Sequence, residues 1–76
     1  MNVLEQNLKM TEATIDILTD IGNHLCVLRT GVEAIGDEDQ LAVLLKAQDG
    51  WAQLLAFFLT RRDMINIALA ENEEIH

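Results

Sequence analysis

The sequence predicts an all-α protein in which two long antiparallel helices form a hairpin. The chain has no proline, only three aromatic residues, and many Ala, Leu, Glu and Gln residues, a composition that favours helix. Its apolar residues recur at helical spacing, and no segment alternates like a strand. Glycines followed by a run of acids near the middle mark the place where one helix ends and the next begins. At 76 residues the chain forms a single domain with a thin stability margin.

The first helix is predicted over residues 3 to about 30. At about 100° per residue, one wide face collects apolar side chains, and the opposite face is acidic. The apolar face comprises Leu4, Leu8, Ile15, Leu18, Ile21, Leu25 and Leu28. The acidic residues that we expect to meet a partner are Glu5, Glu12, Asp16 and Asp20. The segment is therefore an amphipathic helix with a negatively charged back.

The turn is predicted at about residues 31 to 37. Either Gly31 or Gly36 ends the first helix, because glycine adopts the left-handed cap conformation without steric cost. Asp37 and Gln40 have the spacing of a capping box, and the acids beside Asp37 suit the positive end of a helix dipole. The second helix is therefore predicted to begin at about Glu38.

The second helix is predicted over residues 38 to about 70, followed by a frayed acidic tail over 71–76. Thr60 and Asp63 also resemble a weak capping box, so the alternative is a break at Thr60 with a short third helix from Arg61. We expect the helix to continue instead, with Met64, Ile65, Ala68 and Leu69 on its inner side.

The second helix is unusually apolar: 14 of residues 41–59 are apolar. A membrane span is disfavoured, because Lys46 and Asp49 lie near the middle and each costs about 2.5–3.5 kcal/mol at a bilayer centre. One neighbouring helix covers only about a third of a helix's circumference, so we expect two hairpins to pair into a four-helix-bundle homodimer. The residues predicted in or beside the subunit contact are Leu44, Trp51, Leu55 and Phe58.

Two glycines, Gly22 and Gly50, interrupt strong helical patterns, where glycine costs about 1 kcal/mol relative to alanine. A turn around Gly36 places them at the same level of the hairpin, whereas a turn nearer Ala34 offsets them by about one helical turn. Either they let the helices approach closely beside Trp51, or glycine is merely tolerated there. The two hypotheses predict opposite effects of alanine on stability.

The sequence contains no pattern typical of catalysis, so we expect no enzymatic activity, no catalytic residue, no cofactor and no metal site. There is no phosphate-binding loop, nucleophile elbow or Cys/His cluster. His24 lies at the edge of the apolar face and is interpreted as an ordinary boundary residue. The single cysteine, Cys26, is expected to be a small packed hydrophobe, and its isolation favours a reducing compartment such as the cytoplasm.

Charge predicts the kind of partner. The net charge is −8, with −3 in residues 1–36 and −5 in 37–76, which disfavours direct nucleic-acid binding. We therefore expect a regulator or adaptor that binds itself and a basic protein. An extreme form is a mimic of nucleic acid, and short acidic helical chains are common among regulators of mobile elements and phages. The alternative is a chaperone-like or subunit protein whose apolar second helix is covered by a different polypeptide.

Three arginines lie on or near apolar surface: Arg29, Arg61 and Arg62. Either their stems cover apolar surface while their heads pair with Glu12, Glu33 or Asp63, or they set orientation at an interface.

Overall fold

The structure, a computed structural model, describes the backbone of residues 2–75 and the side chains of residues 2–72. Two antiparallel helices, α1 (Val3–Ile35) and α2 (Glu38–Ile75), pack along their length, and the described residues include no strand. The predicted helical hairpin is thus confirmed. Its Cα trace measures 60 × 16 × 13 Å with a radius of gyration of 17.4 Å. A compact chain of this length has about 11 Å, so the molecule is a thin rod.

Side-chain and backbone caps fix both helix starts and the turn. The Asn2 side-chain oxygen accepts a 2.7 Å hydrogen bond from the Glu5 amide at the start of α1. Gly36 adopts φ 80°, and its amide donates to the Val32 carbonyl at 3.0 Å, which closes α1. The Asp37 side-chain oxygen then accepts hydrogen bonds from the backbone amides of Asp39 and Gln40, both at 3.1 Å. The turn therefore needs only two residues between the helices.

Both helices extend beyond their predicted ends. Of the four glycines, Gly36 alone has a positive φ, whereas Gly31 has a helical conformation. The first helix therefore runs to Ile35 instead of about residue 30. The alternative break at Thr60 does not occur, and α2 continues as one helix to Ile75, past the predicted end at residue 70. The segment 71–76, predicted as a frayed tail, is helical as far as Ile75, and His76 lies outside the described residues.

The contact between the helices, here called the seam, follows a seven-residue repeat with alternating steps of three and four residues, typical of coiled coils. In α1 the partly or fully buried seam residues are Leu4, Leu8, Thr11, Ile15, Leu18, Gly22, Leu25 and Val32. In α2 they are Leu41, Leu44, Gln48, Trp51, Leu55, Phe58, Arg62, Ile65 and Leu69. Within the described chain, Leu18 and Ile65 are the only buried hydrophobic side chains, at 5% and 6% exposed. The hairpin by itself has a seam but almost no core.

At three positions of α1 the burial differs from the one that the helical wheel predicts. Ile21 and Leu28, predicted to point inward, are 41% and 57% exposed, whereas Thr11 is buried. A straight wheel at 100° per residue drifts by about 20° per seven residues relative to a seam with a seven-residue repeat. The drift accumulates along α1. A straight helical wheel therefore does not distinguish the residues of the seam from the exposed residues next to them.

Gly22 faces the indole ring of Trp51. The ring nitrogen donates a hydrogen bond of 2.6 Å to the Leu18 carbonyl. That carbonyl already accepts the amide four residues later in the helix and has a second lone pair for the indole. A Cβ at Gly22 would stand 2.9 Å from two carbons of the ring, so the missing side chain is what admits Trp51. Gly50 is exposed, and a Cβ built there would meet no side chain or other helix within 4 Å, so the close approach beside Trp51 holds for Gly22 whereas glycine is merely tolerated at Gly50.

Candidate interaction surface

One side of the hairpin is lined by exposed apolar side chains from both helices. In each helix, every one of these residues comes directly before a seam position in the sequence, so the residues form a row along one flank of the seam. Because the two helices are antiparallel, the row of α1 and the row of α2 lie on the same side of the hairpin. We call this surface the apolar face, and its residues are Met10, Ile17, Ile21, Leu28, Val43, Ala47, Leu54, Phe57 and Met64. Each of the larger ones is at least 41% exposed. The face therefore leaves water against side chains that ordinarily form protein interiors.

A groove on the apolar face lies beside the turn and has a volume of about 450 Å³. Its walls include Leu28 of α1 and Val43 of α2. Because these two residues line one groove, the exposed apolar residues of both helices lie on the same side, a conclusion that does not depend on the helical spacing. Val32 and Leu44 of the seam form its floor, and the small side chain of Ala47 leaves it open. The groove is large enough to receive a side chain of another helix.

Near its middle the apolar face is tied to the seam by two phenylalanine rings. Phe57 on the face and Phe58 in the seam pack edge to face, with centroids 5.2 Å apart and planes at 83°. The seam ring thereby holds the exposed ring in a defined position. A partner would meet a preformed apolar projection at Phe57.

The four residues predicted in the subunit contact lie in the seam. Leu44, Trp51, Leu55 and Phe58 are each half-buried against α1 of the same chain. Their predicted part in a subunit contact stays a prediction. The residues that the sequence reasoning did not single out are their exposed neighbours Leu54 and Phe57. The seven-residue repeat was the available signal, because it separates seam positions from flanking ones.

The predicted acidic surface lies on α1, away from the apolar face. Glu5, Glu12, Asp16 and Asp20 are all exposed, and none of them forms an ion pair with another described residue. Glu5 and Glu12 flank the seam on the side opposite the apolar face, whereas Asp16 and Asp20 point further outward. The four carboxylates thus stay available to a cationic partner.

The arginines divide between ion pairs and the apolar face. Arg29 pairs with Glu33 at 2.8 Å, and Arg62 pairs with Asp63 at 3.2 Å, as the first of the two alternatives expects. Both pairs are largely solvent-exposed, where such contacts contribute little to stability. Arg61 is exposed on the side of the apolar face, between the levels of Phe57 and Met64. Its stem extends the apolar surface while its head remains charged.

The histidine and the cysteine of the described residues both lie at the surface. No group of three or more potential metal ligands occurs among the described residues, and His24 is exposed. Cys26, expected to be packed, is also exposed, because it follows the seam residue Leu25 and falls on the acidic side. Neither described helix has a stretch long and apolar enough to cross a membrane.

In comparisons with known proteins, no family model, no curated protein and no solved structure matches the chain. The functional argument therefore depends on its two surfaces.

Proposed function

We propose that this chain is a non-enzymatic interaction protein that dimerises through its apolar face and uses the acidic side of α1 to bind a basic protein. The observation that carries the proposal is the apolar face, whose large side chains from both helices are each at least 41% exposed. Monomeric proteins rarely expose contiguous apolar patches larger than a few hundred Å², and larger ones are typical of interfaces. Self-association is the simplest way to cover such a face.

The surface area of the single chain supports this proposal. The hairpin exposes 5818 Å². A compact monomer of 8.5 kDa exposes about 4,700 Å². The excess of roughly 1,100 Å² is comparable to the area of about 800 Å² per partner in a stable protein interface. Association of two chains would remove the excess.

Burial in the seam supports it as well. Few side chains of the described hairpin are buried, and none of the larger ones is fully enclosed. Chains of this size are marginally stable even with a closed core, and pairing is a common way to complete one. In a four-helix bundle each helix gains a second neighbour. The dimer would therefore supply the core that the hairpin lacks.

The acidic side specifies the second partner. With a net charge of −8, the chain repels polyanions and attracts basic surfaces. Complementary charge mainly increases the association rate and selects among partners. A basic protein patch is accordingly the target that the carboxylates of α1 favour. Such a regulator would hold its partner on one side and its second copy on the other.

Sedimentation of the purified chain tests the dimer. We expect a dimer at micromolar concentration, and a well-folded monomer at about 100 µM would contradict the proposal, since obligate dimers commonly lack a stable folded monomer. Phe57→Glu should give monomers or unfold the chain. Ile67→Glu is the matched control, because Ile67 is similarly exposed (59% against 56%) but points away from the apolar face. The control should leave the dimer intact.

Binding to a lysine-rich helical peptide tests the acidic side. The double variant Glu12→Gln/Asp16→Asn should bind the peptide more weakly than the variant Glu38→Gln/Glu71→Gln, which removes the same charge elsewhere. Equal weakening would mean that total charge, and not this surface, governs binding. The chain should not shift DNA or RNA at low salt, where electrostatic attraction is strongest.

A second candidate function is suggested by the groove beside the turn. Its mainly apolar walls, to which Asp39 and Gln40 also contribute, suit a side chain from a helix of a different polypeptide, in the helix-in-groove mode of recognition. The chain would then be a subunit or chaperone-like protein. In that case the purified chain should aggregate alone and become a defined species only with a co-expressed partner, instead of forming a clean dimer.

A further inference from the structure

We propose that the second copy lies on the apolar face with its turn at the opposite end, so that a two-fold axis passes beside Leu54. The inference rests on the proposed dimer and specifies how the two chains meet. In this arrangement α1 packs antiparallel on α1 of the second copy, and α2 on α2. The projections of each chain then meet the groove of the other.

The ends of the apolar face are complementary. Met10 and Met64 project at the end away from the turn, and the groove between Leu28 and Val43 opens at the end beside it. Met10 and Leu28 are separated by about 27 Å along α1. Since Trp51 lies opposite Gly22, the level midway between them falls at Leu54 of α2. A two-fold axis there brings the methionines of each chain over the groove of the other.

The sizes of the side chains along α2 lead to the same axis. Towards the turn α2 carries Val43 and the small residues Ala47 and Gly50 on this side, and beyond Leu54 it carries the large residues Phe57, Arg61 and Met64. Rotation about Leu54 places Phe57 over Gly50 of the second copy. Gly50 has no neighbour within 4 Å in its own chain, so it has room for the ring. The large ring of Phe57 therefore faces the small residue Gly50 on both sides of the axis.

The other two-fold arrangement, with both turns at one end, fits less well. It places groove over groove and methionines over methionines, which leaves an unfilled cavity at one end and a crowded contact at the other. It also brings together the acidic turn residues Asp37, Glu38 and Asp39 of both chains. Like charges in such proximity disfavour association. With opposite turns these carboxylates lie about 48 Å apart along the rod, at a rise of 1.5 Å per residue.

The dimensions of the face suit a second copy. The hairpin is 60 Å long and 16 Å wide, so one face presents about 1,000 Å², near the area per partner of a stable interface. Because the proposed axis lies close to the middle of α1, the two rods overlap over most of their length. No other occupant needs to be invoked to cover the face.

A distance measurement between spin labels tests the orientation. The label is placed on Ala34→Cys, an exposed outward position beside the turn, in a Cys26→Ala background. Opposite turns predict a separation of about 45 Å, from a rise of 1.5 Å per residue. Both turns at one end would give less than about 30 Å, the width of a bundle, and would overturn the orientation while leaving the dimer standing. A monomer in sedimentation would overturn the dimer itself.

A substitution on α2 tests the seating of Phe57. Gly50→Leu should raise the dimer dissociation constant at least tenfold without lowering helix content at high concentration. Ala56→Leu, an exposed position of the same helix on the opposite side, is the matched control and should leave the constant unchanged. An unchanged constant for Gly50→Leu would show that Phe57 does not pack against Gly50, even where the dimer itself persists.

Discussion

Replacing Gly22 by alanine should destabilise the hairpin, although alanine is the better helix former. The new Cβ would fall within contact distance of three atoms of the Trp51 ring, two of them at 2.9 Å. The ring is rigid, and its nitrogen is held by the Leu18 carbonyl at 2.6 Å. It therefore has to move as a unit, which breaks that hydrogen bond and loosens the seam around it.

The magnitude follows from three opposing contributions. Overpacking a seam typically costs about 1–3 kcal/mol. The lost indole hydrogen bond adds about 0.5–1.5 kcal/mol. Alanine returns about 0.4–1 kcal/mol by restricting the unfolded chain. We expect Gly22→Ala to lower the free energy of unfolding by about 1–3 kcal/mol, or about 4–8 °C in Tm for each kcal/mol.

Urea unfolding followed by circular dichroism measures this change, at one fixed protein concentration because association shifts the midpoint. Gly31→Ala is the control: Gly31 lies in the same helix, is exposed and has no neighbour within 4 Å. It should stabilise the chain by about 0.4–1 kcal/mol. If Gly22→Ala raised the midpoint as Gly31→Ala does, glycine would not be required for the Trp51 contact, and the reasoning would fail.

Three further substitutions examine the turn, the seam and the ion pairs. Gly36→Ala should cost about 1–2 kcal/mol, because φ 80° is strained for a residue with a Cβ, and thermal unfolding measures the loss. Ile65→Ala should cost about 2–5 kcal/mol in urea unfolding, whereas Ile67→Ala, at an exposed site, should cost far less. Arg29→Ala should change stability by at most about 1 kcal/mol, and a larger, concentration-dependent loss would place Arg29 in an interface.

The sequence was sufficient for the hairpin because its signals are local. Asp37 caps the amide of Gln40 as the spacing predicts, and Gly36 takes the left-handed conformation that only glycine adopts freely. The choice between Gly31 and Gly36 needed the structure, since either is chemically able to end a helix. The continuation of α2 past Thr60 also depended on packing beyond that point.

The surface was harder to predict, because burial in a hairpin depends on the supercoil. In α2 the seam residue Leu55 and the exposed Leu54 are chemically identical, so apolar character does not separate them. In α1 the buried Thr11 and the exposed Ile21 reverse the usual preference. Register decides such cases, and the register is fixed by the contact of Gly22 with Trp51. The sequence left open whether Gly22 makes this contact or whether glycine is merely tolerated there.

The groove beside the turn implies an uneven pattern of amide hydrogen exchange. The buried residues Thr11, Leu18 and Ile65 lie away from the turn, whereas the groove leaves the helices least packed next to it. Local opening therefore requires less free energy near Leu28 and Val43 than near Leu18. Filling of the groove by a second copy would slow exchange there as protein concentration rises, while amides beside Leu18 would respond much less.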